Sequence, residues 1–203
     1  MRQAILDVHN HLRNKLALGM VQRSAHSMDT LPKAADMRAM KYDCTLEKMA
    51  LDVGVLQDDC KEILPRQKFT DTARNYRYIN TTMRFRRPVM SPKEALVKAA
   101  HEWWNLHLYY QFEDVTPKDK DFRAIPFFMM AMAATQEVGC AVNFCPSSSR
   151  NYYAVYCYYG APHVKAGKSL YKKGEPCKEC PIGYACYGKT KLCRRTTFQL
   201  PVN

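Results

Sequence analysis

The spacing of apolar side chains changes period several times along the chain, and each change predicts an element. Residues 2–18 set Ile5, Val8, Leu12, Leu16 and Ala17 on one helical face, and Gly19 follows as a residue suited to close the helix. From 20 to 36 the period is lost among Ser24, Ser27, Asp29, Thr30 and Pro32, which predicts a loop. Asp43 then offers an N-cap to a second helix whose stripe is Leu46, Met49, Ala50, Val53, Leu56 and Cys60, with Cys60 facing the core. Residues 61–90 are polar and arginine-rich, with Pro65 and Pro88, and predict only short extended pieces. Ser91-Pro92-Lys93-Glu94 is a capping box with proline at the first helical position, opening a helix through Leu96, Ala99, Ala100, Trp103, Leu106 and Tyr110. After a polar turn, Pro117 to Asp121, a fourth helix is expected over 127–136, where FFMMAMAA is apolar nearly all round and therefore buried.

The period then falls to two. Residues 139–161, GCAVNFCPSSSRNYYAVYCYYGA, read as two strands joined by a longer loop. Cys140 and Cys145 lie an odd number of residues apart, so they leave opposite faces of a strand and should anchor two different things. The expectation is a small central sheet with helices tied to it covalently. In the tail from Gly174, Cys177, Cys180, Cys186 and Cys193 follow a C-x2-C-x5-C-x6-C spacing among glycines and prolines. Only one CxxC knuckle is present, so two disulfides are favoured over a zinc ribbon.

Composition narrows the class. A chain of 203 residues that is 47% apolar can bury one full core with a small appendage, which excludes a disordered protein. Nine cysteines favour an oxidising, extracellular compartment, and the odd count leaves one without a partner in this chain. The chain starts inside a helical pattern, so a secretory leader, and a further cysteine with it, is expected to have been removed ahead of Met1. No apolar run reaches membrane-spanning length, and membrane insertion is not expected. Asn80-Thr81-Thr82 is a glycosylation triplet at Asn80. The net charge of +12 is spread along the chain, with clusters at Arg84 to Arg87, Lys172-Lys173 and Arg194-Arg195. With no nucleic-acid motif to organise it, this charge reads as the surface of a basic secreted protein, open to acidic glycans or receptor patches. His9 and His11 point to different sides of their helix and cannot share a metal; Trp103, Trp104 and the methionines of the fourth helix read as core.

The order of these features resembles a known family. His9-Asn10-x-x-Arg13, the helix ending in Cys60, Trp103-Trp104, Gly139-Cys140 before the hairpin, Cys157-x-Tyr159 and the KGEPCKEC tail together resemble the CAP superfamily of cysteine-rich secretory, antigen 5 and pathogenesis-related 1 proteins. Residues 37–44 (MRAMKYDC) and 171–177 (YKKGEPC) are similar to secreted venom-allergen-like proteins of parasitic nematodes. The resemblance implies the α+β class: an α-β-α sandwich around a small antiparallel sheet over residues 1–165, then a cysteine-rich hinge over 166–203. It implies the pairs Cys60–Cys145, Cys140–Cys157, Cys177–Cys186 and Cys180–Cys193, and leaves Cys44 unpaired or paired outside the chain.

Many members of that family carry two histidines and two glutamates that can hold a divalent metal in a central cleft. Carried over by neighbouring landmarks, those positions fall at Leu64, Arg74 (just before Asn75), Leu106 and Pro126. None can ligate zinc or act as an ordinary general base, and His101 and His107, six residues apart, do not share a helical face. The expectation is therefore no enzyme, no metal and no cofactor, but a secreted protein that binds a host cell-surface protein, with platelet integrins as the candidate partner. There is no Arg-Gly-Asp triplet, so Arg84 to Arg87 or the Lys118 to Asp121 turn would have to make the contact. Carriage of a lipid or sterol along FFMMAMAA is the alternative, and a metal-dependent hydrolase ranks last.

Overall fold

The computed structural model describes residues 1–55, 60, 74–110, 115–146, 150–160 and 163–196. Along the chain lie α1 (Arg2–Ala17), β1 (Lys41–Tyr42), α2 (Cys44–Met49), β2 (Arg74–Asn80), β3 (Met83–Arg84), β4 (Arg87–Pro88), α3 (Pro92–Asn105), α4 (Ile125–Ala131), β5 (Glu137–Cys145), β6 (Tyr152–Gly160), β7 (Tyr184–Tyr187) and β8 (Leu192–Arg195). The central sheet has the order β1-β5-β6-β2. Its three long strands are antiparallel, with Cys140 opposite Cys157 and Asn75 opposite Cys157 on the other side, while the two-residue β1 pairs parallel to β5.

Strand alternation divides the sheet's side chains between two cores. Tyr153, Val155, Cys157 and Tyr159 of β6 face the larger one, shared with α1, α3 and α4; Tyr152, Ala154, Tyr156 and Tyr158 face a smaller one with Leu46 and Ala50. This is the α-β-α sandwich. Cys140 joins Cys157 on the first face, and Cys145 joins Cys60 on the second. The tail is stapled by Cys177–Cys186 and Cys180–Cys193, and Leu170, Tyr171 and Leu192 enter the larger core.

Three helices differ from the periodic reading. The second is α-helical only to Met49, then widens into a π-helical turn over Ala50–Val55. Of the expected stripe, Leu46, Ala50 and Cys60 pack on the smaller core while Met49 is exposed, and Leu56 lies outside the described residues; Cys60 sits in a turn with φ 56°. The fourth begins two residues early, after a 3-10 turn over Asp119–Ala124, and ends at Ala131, where Met132 is extended. The third ends at Asn105 and passes into a 3-10 turn, Leu106–Tyr109. Residues 74–80 form a seven-residue strand along β6 where only short pieces were expected. None of the helices among the described residues is long and apolar enough to cross a membrane.

Candidate functional site

Two polar side chains of α1 lie within its buried stripe: Arg13 reaches the C-terminal end of α4, and His9 reaches β6. Arg13 is fully buried. Its guanidinium donates to the carbonyls of Arg38 (2.7 and 2.9 Å), Met130 (2.7 Å), Met132 (2.9 Å), Ala133 (3.2 Å) and Thr135 (3.1 Å). The carbonyls of Met130 to Thr135 belong to the last turn of α4 and the residues after it, where the helix can no longer supply donors and a cation is favoured. Desolvation lowers the Arg13 pKa to about 9, partly offset by Asp36, so the side chain stays charged at neutral pH.

His9 is equally buried. Its Nδ1 meets the Ile5 carbonyl at 2.8 Å and its Nε2 the Tyr159 hydroxyl at 3.0 Å. Asn75 Nδ2 donates to that hydroxyl at 3.1 Å and to the Pro126 carbonyl at 2.9 Å. This chain ties α1, β6, β2 and α4 together in the interior. Desolvation is the main cause that lowers the His9 pKa to about 4 and raises that of Tyr159.

Of the positions to which the family resemblance carries a ligand set, three are described, and Arg74 leaves the face of β2 opposite to that of Asn75. Arg74 precedes Asn75 and points its Nη1 toward the Tyr158 hydroxyl at 3.4 Å. Pro126 opens α4, and Leu106 is packed against the larger core at the start of the 3-10 turn. Leu64 lies outside the described residues. A guanidinium, an isobutyl group and a proline ring offer no lone pair to a metal, so the donor set does not fit one here. His107 is buried, its Nδ1 2.7 Å from the Trp104 carbonyl and its ring 4.9 Å from that of Phe127. Burial lowers the pKa of both His107 and His101. Among the described residues, the side chains grouped closely enough for a cation are Cys177, Cys180 and Cys193, whose sulfurs are already spent in disulfides.

The chain is similar to known proteins in sequence and in fold. The model of the Cysteine-rich secretory protein family, CAP, matches residues 6–159. The chain belongs to the CAP family. Among curated relatives it is 28% identical over 201 residues to Venom allergen 5 of Tityus serrulatus, covering 97% of this chain and 46% of that protein. It is 28% identical over 205 residues to Ancylostoma secreted protein of Ancylostoma caninum, covering 95% and 44%. The chain thus spans about half the length of the curated relatives it matches. Among solved structures, NaASP2 with Zn2+ superposes with a TM-score of 0.72 at 26% identity, covering 95% of this chain and 94% of that one. Hookworm Platelet Inhibitor does so with 0.68 at 22%, covering 96% and 90%, a likeness of fold.

On this CAP scaffold the outer surface carries the remaining features. An open groove of about 940 Å³ runs beside the end of β2, lined by Asn80, Thr82, Met83, Glu94, Lys98 and Arg150 among others. One wall is the β3–β4 hairpin, where Arg84 to Arg87 are all exposed. Phe85 at its tip is 87% exposed, with the Arg84 guanidinium 5.4 Å from its ring centroid. Sequence reasoning marked the arginines but not this ring; MRFRRP has no Asn-Gly pair to announce a tight turn. The Lys118 to Asp121 turn is occupied structurally, since the buried Asp121 carboxylate accepts the Lys118 N–H at 2.8 Å. Asn80 is exposed at the end of β2, and Cys44 carries a free, exposed thiol at the start of α2.

Proposed function

We propose that this CAP protein is a secreted, non-enzymatic molecule of a parasitic worm that binds a host cell-surface protein and interferes with integrin-dependent platelet adhesion and aggregation. The observation that carries the reading is the chemistry at the cleft positions. Arg74, Leu106 and Pro126 supply neither a ligand nor a base, while the disulfide-bonded scaffold around them is intact. The likeness in fold to Hookworm Platelet Inhibitor supports the choice of platelets. Nine cysteines and an exposed glycosylation triplet at Asn80 support an extracellular setting. Lipid carriage gains no support from FFMMAMAA, because Phe127, Phe128, Met129, Met130 and Ala131 are each at most 1% exposed and packed as core. The test is agonist-induced platelet aggregation with the purified protein, together with binding to isolated platelet integrins. Inhibition accompanied by integrin binding is the expected result; neither effect at micromolar protein removes the reading.

A further inference from the structure

The β3–β4 hairpin is built against its own backbone preferences. Met83 pairs with Pro88 and Arg84 with Arg87, which leaves Phe85 and Arg86 as a two-residue loop. Both have positive φ, 49° and 64°, the signature of a type I′ turn. That turn favours Asn-Gly because a Cβ is strained at positive φ, and a bulky aromatic there is an outlier. Here the strained positions hold an aromatic ring and a guanidinium, and neither is buried in return: Phe85 stands 87% in solvent. Strain held without local compensation is a mark of a working surface.

The chemistry of the tip is coherent. Phe85 is flanked by three arginines, Arg84, Arg86 and Arg87, with no ion pair to any of them among the described residues. Met83 and Val89, 38% and 61% exposed, extend the apolar surface behind the ring. Lys98 and Arg150 add positive charge along the adjoining groove. Among the described residues lining the groove the one carboxylate, Glu94, is engaged by the Ser91 N–H and hydroxyl at the start of α3. Aromatic, methionine and arginine side chains are the types enriched at protein interface centres, and a two-residue turn presents them with little freedom left to lose on binding.

We propose that this tip is the contact with the host protein, inserting Phe85 into an apolar pocket rimmed by carboxylates that meet the three arginines. The assignment rests on the receptor-binding reading above. A sulfated glycan would use the arginines but not the exposed Phe85, Met83 and Val89, so a protein surface fits better.

The experiment measures saturable binding of labelled protein to washed platelets, for the natural chain, for Phe85→Ala, and for the double substitution Phe85→Asn with Arg86→Gly. The double substitution suits the turn, so it should raise Tm by about 2–4 °C through relief of strain. At the same time it should weaken binding by about 30-fold or more, as loss of a central anchor does. Phe85→Ala should weaken binding comparably without that gain in Tm. Undiminished binding by both variants would overturn the assignment and leave the receptor reading standing. Failure of the natural chain to bind platelets would overturn both. Loss of binding after heparinase treatment, or equal binding to phosphatidylserine vesicles, would make the partner a glycan or a lipid and overturn the proposed chemistry.

Discussion

His9 and Tyr159 share a hydrogen bond of 3.0 Å in the interior, and its direction is set by the groups on either side. The Ile5 carbonyl can only accept, so His9 Nδ1 carries the proton and Nε2 is the acceptor. The Tyr159 hydroxyl therefore donates to His9 and accepts from Asn75 Nδ2. Protonation of His9 would turn its Nε2 into a donor and leave the proton of the buried Tyr159 hydroxyl without its acceptor. This is why a neutral imidazole is the form the fold selects.

A pH dependence follows. The folded imidazole resists protonation down to about pH 4, whereas the unfolded one titrates near 6.5. Acid thus favours the unfolded chain: the His9 contribution is intact above pH 6.5 and is lost as the pH falls from there to about 4. The full loss is on the order of 3 kcal/mol. Urea unfolding at pH 7.5 and 4.5 should show the natural chain losing about 2–3 kcal/mol more than His9→Gln, which keeps an acceptor for Tyr159 and cannot titrate. Equal losses in the two proteins would place the acid sensitivity elsewhere.

Arg13 makes a different prediction because its role is the number and geometry of its donors. Arg13→Met should leave the carbonyls of Met130, Met132, Ala133 and Thr135 buried without this cation, at a cost of about 4 kcal/mol or more. Lysine keeps the charge but donates from one atom, and cannot serve the Arg38 carbonyl and the α4 end together. Arg13→Lys should therefore recover less than half of the loss in urea unfolding. Stability within about 1 kcal/mol of the natural chain would show that charge alone, not the planar fork, holds α4.

These cases show what the sequence carries and what it hides. The capping box at Ser91 was legible because its partners are local: Ser91 Oγ accepts the Glu94 N–H, and Glu94 accepts the Ser91 N–H at 2.7 Å. The strands on either side of residue 146 were legible because alternation is enforced on β5 and β6 by a core on each face. The end of α4 was hidden because the groups that stop it, Arg13 and the Thr135 hydroxyl on the Met129 carbonyl, include one more than a hundred residues away. Strand β2 was hidden by RNYRYIN, a polar run whose buried positions are filled by Asn75 as well as Ile79, Asn75 being held by Tyr159 and Pro126. At Arg74, Leu106 and Pro126, where the resemblance would put ligands, residue identity alone shows side chains without a donor for a metal, but only the fold shows that Asn75, next to Arg74, bonds the Pro126 carbonyl.

Gly139 tests how closely α2 lies on the sheet. A Cβ built there would stand 2.1 Å from the Glu47 nitrogen and 2.5 Å from the Asp43 carbonyl oxygen, both backbone atoms in the first turn of α2. Glycine inside a strand often marks such an approach of another backbone, and here nothing flexible can yield. The contact matters because Asp43 also caps α2, its carboxylate accepting the Leu46 N–H at 2.9 Å, while its own N–H donates to Val138 at 3.0 Å. Gly139→Ala must push α2 away from β5 and strain these bonds together, a backbone shift worth about 1–3 kcal/mol. Because Glu47 also carries the ion pair to Arg2 at 2.7 Å, displacement of α2 should loosen the first turn of α1 as well. Amide hydrogen exchange should then report faster exchange at Leu46 and Glu47 than in the natural chain, with α3 unchanged. A Gly139→Ala protein with native stability and native exchange at α2 would mean that the helix does not rest on this glycine.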